Sequence, residues 1–108
     1  MKQVRVPQFQ KRVYDTVSHI PRGCVSTYGI VARHIGCGSA QAVGQALRRN
    51  PFAPDIPCHR VISASLTIGG FAGKRAGGEI ARKYELLEQE GVEFRDGTLK
   101  DPERLVCF

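Results

Sequence analysis

The stretch Ile56-Pro57-Cys58-His59-Arg60-Val61 sets a thiol, an imidazole and a guanidinium side by side. Positive charge next to a cysteine favours the thiolate, which is the nucleophilic and metal-binding form. Metal is the poorer reading. Of the four cysteines, Cys24, Cys37, Cys58 and Cys107, none forms a C-x-x-C pair and none is spaced from histidines as in a zinc finger. Taken alone, a Cys-His adjacency is more often structural than catalytic, and nucleophilic chemistry at Cys58 meets one geometric difficulty. In an extended segment neighbouring side chains point to opposite faces, so His59 takes the Cys58 proton only through a water or a bend in the backbone. His19, His34 and the other three cysteines have no such context and read as structural or surface residues.

The elements around this stretch read as mainly helical. Phe9, Val13, Val17 and Ile20 fall at helical spacing over Pro7 to Ile20, with Pro7 suited to a first turn. Pro21-Arg22-Gly23 breaks that helix. A second fits Thr27 to Ile35, capped by Ser26 or Thr27, and Gly36-Cys37-Gly38 ends it. Ser39 caps a third, reaching about Arg49, whose apolar stripe is Ala40, Val43 and Leu47. Gln41, Gln45, Arg48 and Arg49 share its other side. Two short helices joined by a glycine-containing turn, the second with a polar and basic face, form the pattern of a helix-turn-helix. Beyond Asn50-Pro51, short strands are expected over Ile56 to Ser63 and Leu66 to Ile68, making a small hairpin. A glycine-rich loop (Gly69 to Gly73) and an irregular basic stretch (Lys74 to Gly78) follow. The last helix runs from about Glu79 to Glu90 with Ile80, Tyr84 and Leu87 inward, and a turn falls at Asp96-Gly97.

Composition narrows the partners. The 108 residues suit one domain, and no apolar run nears the roughly 20 residues that cross a bilayer. Residues 1–10 lack the apolar stretch of a secretory signal, which points to an intracellular protein: nuclear in a eukaryote, otherwise cytoplasmic. Sixteen Lys and Arg against ten Asp and Glu leave a net charge of +6, which favours a polyanion such as nucleic acid.

Taken together, these motifs resemble the O6-alkylguanine-DNA alkyltransferases, also called methylated-DNA–protein-cysteine methyltransferases. Ile56 to Val61 is similar to that family's active-site motif. Gly23-Cys24-Val25-Ser26-Thr27-Tyr28-Gly29 resembles its entry into the helix-turn-helix. Ala42-Val43-Gly44-Gln45-Ala46-Leu47 and Arg49-Asn50-Pro51 resemble its recognition helix and asparagine hinge. Gly69 to Gly73 is similar to its pocket loop, and Leu86-Leu87-Glu88-Gln89-Glu90-Gly91 to its closing helix.

The resemblance implies a winged-helix-like helix-turn-helix domain that binds double-stranded DNA containing O6-alkylguanine. The nucleotide is flipped out, and its alkyl group passes irreversibly to Cys58. A relay through water, His59 and Glu90 activates the thiol, and Asn50 ties the recognition helix to the active-site segment. Tyr28 lies against the target phosphate and base. Arg60 and Val61, the loop of Phe71, Ala72 and Gly73, and Gln41, Ala42, Gln45 and Arg48 of the recognition helix contact substrate or DNA. A monomer without metal, organic cofactor or membrane association is expected. Because the chain begins almost at the DNA-binding domain, it resembles the family's short single-domain forms, without the ribonuclease-H-like domain of many members.

The chain departs from the pattern at three places. Gln41 stands where most members carry the arginine finger, giving up charge and stacking surface. Phe71 replaces a frequent tyrosine, and the basic loop from Lys74 to Gly78 is longer than usual. Three rival readings are weighed against particular residues, and the first, kept open by Gln41 and the short chain, stands as the alternative. Alkyltransferase-like damage binders usually replace the nucleophilic cysteine, commonly with tryptophan, whereas Cys58 is present. A helix-turn-helix regulator needs no Cys58, His59 and Glu90 together. A thiol hydrolase needs a better-placed histidine than His59.

Overall fold

The computed structural model describes residues 7–49, 56–68 and 78–108. Asn50 and the stretch 69–77, with Phe71, Ala72 and Gly73, lie outside the described residues.

Helix α1 spans Gln8–Val17 and follows Pro7, whose φ of −55° already suits a helix. It stops three residues before the expected Ile20, because Ile20 N–H turns back to the Val17 carbonyl (3.0 Å). Ile20 still packs into the core. Helix α2 spans Tyr28–His34, and the Thr27 hydroxyl accepts from Ile30 N–H at 3.1 Å. Helix α3 spans Ala40–Arg48, and the Ser39 hydroxyl accepts from Ala42 N–H at 3.1 Å. Each cap satisfies a donor that the first turn leaves without a helical partner. Val13 and Val17 of α1, Val31 and Ala32 of α2, and Val43, Ala46 and Leu47 of α3 close one buried cluster. The Tyr14 hydroxyl ties α1 to α3 by donating to the Ala46 carbonyl at 2.7 Å.

The second part of the chain is organised by a strand pair. Strand β1 (Ser26–Thr27) runs parallel to β2 (Val61–Ile62), with Ser26 opposite Val61 and Thr27 opposite Ile62. Because strand side chains alternate, Val61 enters the helical core. Ile62 enters a second core with Val25, Leu87, Val92 and Leu99. On the other edge Val25 pairs with the chain's far end, donating to the Arg104 carbonyl (2.9 Å) and accepting from Val106 N–H (2.7 Å). Helix α4 spans Gly78–Gln89, so Gly78 belongs to a helix rather than to the basic loop. Strands β3 (Phe94–Arg95) and β4 (Thr98–Leu99) form an antiparallel hairpin. Its turn residues Asp96 and Gly97 both have positive φ (52° and 81°), as a two-residue hairpin turn demands.

Two expectations need correction. The hairpin is built from residues 94–99, not from Ile56–Ser63 and Leu66–Ile68. Since β2 pairs with β1, the segment after it contributes only a bridge from Thr67 to Thr98. Nor is the segment around Cys58 extended. Pro57 (ψ 66°) turns the chain, and Arg60 N–H closes onto the Pro57 carbonyl at 2.9 Å, making a 3-10 turn over Cys58–Arg60. The backbone therefore bends at Cys58–His59 instead of alternating their side chains across a strand. No helix among the described residues is long and apolar enough to cross a membrane.

Candidate active site

The 3-10 turn points His59 inward, where its Nε2 lies 2.9 Å from Glu90 Oε2, and both side chains are only 7% exposed. Glu90 occupies the turn that ends α4. Its N–H and that of Val92 both return to the Leu87 carbonyl (3.0 and 2.9 Å), with Gly91 at φ +86°. Only a residue tolerant of positive φ makes that reversal without strain. Arg60 grips the same carboxylate from the other side: Nε donates to Oε1 at 2.8 Å and Nη2 to Oε2 at 2.9 Å. Its Nη1 donates to the Ile20 carbonyl at 2.8 Å. The Arg60 guanidinium, expected at substrate or DNA, is thus committed inside the protein.

These contacts set the charges. Burial opposes ionisation of Glu90, but hydrogen bonds from Arg60 and His59 outweigh it and hold the carboxyl at about 2. His59 is pushed down from its ordinary value, first by burial; Glu90 opposes the shift, while Arg60 and Lys83 add to it. His59 is therefore neutral near pH 7. With Nε2–H assigned as donor to Glu90, its Nδ1 is the acceptor.

Lys83 is the functional residue that the sequence reading missed. Its side chain is fully buried, at 0% exposure. Nζ donates to the Val61 carbonyl at 2.8 Å and the Ile68 carbonyl at 2.6 Å, and it lies 3.5 Å from the Tyr28 hydroxyl. Burial pushes the amine down to about 7, and negative charge on Cys58 acts against that shift. A thiolate at Cys58 thus lies within the field of a buried cation. Lys83 stands between Ile80 and Leu87, three residues after the first and four before the second, on the inward face of α4. Spacing alone marks it as inward, but a count of apolar residues passes over it.

The other expected residues fall into two groups. Cys58, half-buried against the helical core, shares this centre with Tyr28, Val61, His59 and Glu90. Gln41, Gln45 and Arg48 are exposed along α3, with Ala42 half-buried beside them. Helix α3 passes close to Tyr28: a Cβ placed on Gly44 meets the tyrosine ring at 3.9 Å. Of the remaining candidates, His19 Nδ1 lies 2.7 Å from the Asp15 carbonyl and His34 packs on the Phe108 ring, so neither joins the site. Among the described residues no group of His, Cys, Asp and Glu is arranged to hold a metal.

Fold and site together define a helix-turn-helix domain whose second helix passes Tyr28 beside a half-buried cysteine and a buried imidazole–carboxylate pair. The family model described as the DNA-binding domain of 6-O-methylguanine DNA methyltransferase matches residues 8–92, and the chain belongs to this family. A methylated-DNA–protein-cysteine methyltransferase of Methanothermobacter thermautotrophicus is 47% identical over 85 residues, covering 79% of this chain and 45% of the relative. The chain spans about half the length of the curated methyltransferases it matches. Alkyltransferase-like protein 1 of Schizosaccharomyces pombe is 42% identical over 99 residues, covering 89% of this chain and 87% of the relative. Among solved structures, S. pombe Atl1 in complex with damaged DNA containing O6-carboxymethylguanine aligns with a TM-score of 0.80. It is 36% identical and covers 95% of this chain and 98% of that one. Mycobacterium tuberculosis OGT in complex with DNA aligns at 0.73 and 43% identity, covering 82% and 52%.

Proposed function

We propose that this protein repairs DNA by transferring the alkyl group of O6-alkylguanine to the sulfur of Cys58. The observation that carries the reading is the buried His59–Glu90 pair behind a cysteine in the field of Lys83. A base in a duplex hides its O6 substituent, so the nucleotide must leave the stack, and a poorly paired alkylguanine does so at lower cost. The exposed face of α3 lies on the duplex, with Gln41 against the vacated stack and Arg48 and Arg49 near phosphates. Tyr28 flanks the flipped nucleotide, and the backbone around Val61 lines its pocket together with Phe71, Ala72 and Gly73. Asn50 links α3 to the active-site turn.

The Cys58 proton passes through water to His59 Nδ1, and Glu90 stabilises the imidazolium formed. The thiolate attacks the alkyl carbon, so a sulfur–carbon bond forms as the carbon–O6 bond breaks. The electron pair of the broken bond stays on the guanine, which takes up a proton and returns to the stack. The thioether is not hydrolysed, and each molecule acts once. No metal or organic cofactor enters. The chemistry takes place wherever the DNA lies, the nucleus of a eukaryote or the cytoplasm of a prokaryote.

A second reading has its own observation. The chain aligns nearly end to end with the S. pombe alkyltransferase-like protein, which favours a non-enzymatic binder that marks alkylated guanine for excision. Intact-protein mass spectrometry after incubation with a duplex carrying one O6-methylguanine separates the two. A gain of one methylene mapped to Cys58, absent from Cys58→Ala, is the expected result. No gain, with lesion-selective binding retained, would assign the protein to the binders.

A further inference from the structure

Most of the charged groups that contact the Glu90 turn have simple work. Arg22 donates to the Gln89 carbonyl at 3.1 Å, and Arg104 donates to the Gly23 carbonyl at 2.7 Å. Both tie distant backbone segments together. Arg60 differs, because it competes with His59 for one carboxylate. Glu90 Oε2 receives His59 Nε2 and Arg60 Nη2, each at 2.9 Å, while Oε1 receives Arg60 Nε at 2.8 Å. Two of the three side-chain hydrogen bonds to this carboxylate therefore come from a permanent cation.

A carboxylate facing an imidazole alone would hold a proton on it, because an isolated buried anion is poorly solvated. Bidentate pairing removes that demand: the charge of Glu90 is already matched, and its remaining lone pair only orients the ring. The third arm of Arg60, on the Ile20 carbonyl at 2.8 Å, fixes the guanidinium to the end of α1. The fork and this anchor hold the carboxylate in the orientation that meets His59 at 2.9 Å.

We propose that Arg60 is a positioning residue that takes up the charge of Glu90 and fixes its orientation, so that His59 rests as a neutral imidazole ready to accept the Cys58 proton. A standing imidazolium cannot accept it. The inference rests on the alkyl-transfer reading for its purpose, though not for its test. The charged groups that act on His59 are Glu90 from the turn ending α4, Arg60 from its own turn and Lys83 from α4. Lys83 is a second cation acting in the same direction as Arg60.

The test follows the ring protons of His59 by NMR as a function of pH, beside single-turnover methyl transfer over the same range. In Arg60→Gln the His59 midpoint moves up by about one pH unit, a tenfold change in proton affinity. The acid limb of the transfer profile moves up with it, and the rate returns to within a few-fold of the parent at the alkaline end. Arg60→Lys, which keeps the charge but not the fork, gives an intermediate midpoint and remains readable if the glutamine variant does not fold. A midpoint that stays put or falls in both variants overturns the proposal, as does a loss of rate that is the same at every pH. Should the parent protein transfer no methyl group, the His59 titration still decides the role of Arg60, and the two readings fail separately.

Discussion

The two ends of the site are built by different means. The half proposed to face DNA, α1 to α3, is held by apolar side chains at helical spacing, two hydroxyl caps and a few polar ties such as Tyr14 to Ala46. The chemical half, from Cys58 to Glu90, is held by a buried lysine on two carbonyls and a carboxylate shared between arginine and histidine. Hydrophobic packing is insensitive to pH and tolerant of shape. Buried charge is neither, and its geometry depends on every partner being present. The three-helix half is thus mechanically simple. The half around His59, Lys83 and Glu90 is electrostatically tense.

That contrast is sharpest in how stability responds to pH. Lys83 sits at about 7 in the folded protein against 10.5 for a free lysine. Between those values the unfolded chain binds the extra proton, so stability rises with pH across that window by several kcal/mol, at about 1.4 kcal/mol for each pH step of one. His59, also depressed, adds stability above its ordinary value near 6.5, which is lost as pH falls below it. Glu90, at about 2 instead of 4.5, adds roughly 3 kcal/mol that is present above 4.5 and lost as pH falls towards 2. All three have the same sign. Urea unfolding from pH 4 to 10 should show stability climbing throughout, and in Lys83→Met the climb above pH 7 should flatten. A flat profile in the parent protein would erase the contrast between the halves.

A second prediction separates binding from chemistry. Lys83→Met removes the cation beside Cys58 while leaving the outer face of α3 intact. Methyl transfer should fall on the order of 10²-fold in single-turnover assays, with duplex affinity within a factor of about two in a gel-shift titration. Equal losses in both would mean that the halves do not work apart. Smaller still is the loss of a cap. Thr27→Ala and Ser39→Ala should each cost about 1 kcal/mol in thermal unfolding, with the pH profile keeping its shape. Least of all is Gln41→Arg, which adds one cation on the DNA face. It should tighten duplex binding a few-fold and steepen the slope of log affinity against log salt by about 0.9.

The same division governs what the sequence made legible. Helices α1 to α3 and both caps follow from spacing and capping chemistry, since each is decided by neighbours within four residues. The Asp96-Gly97 turn is readable for the same reason. Cys58 and His59 stand out by their adjacency to each other and to Arg60, Glu90 comes only from resemblance, and the structure brings His59 and Glu90 together from 31 positions apart. The 3-10 turn is not legible, because Pro57 permits extended backbone as readily as a bend, and a contact with α4 decides between them. Nor is the parallel pairing of 26–27 with 61–62, which no local signal announces. Lys83 stays hidden because its burial depends on two carbonyls supplied by distant segments.

The pairing of Val25 with residues 104–106 bears on how the protein is made. A chain emerging from the ribosome can assemble α1, α2 and α3 as soon as they are out, since their contacts are mutual and near in sequence. The segment leading into Tyr28 cannot be finished then, because the Ser26 hydroxyl bonds to a carbonyl 80 positions later and Val25 to its neighbours. Synthesis therefore yields the three-helix cluster first and the pairing of residues 25–26 last. A chain halted short of residue 104 would lack the strand that steadies the entry to Tyr28, and pulse-chase labelling with a thiol probe would catch it there.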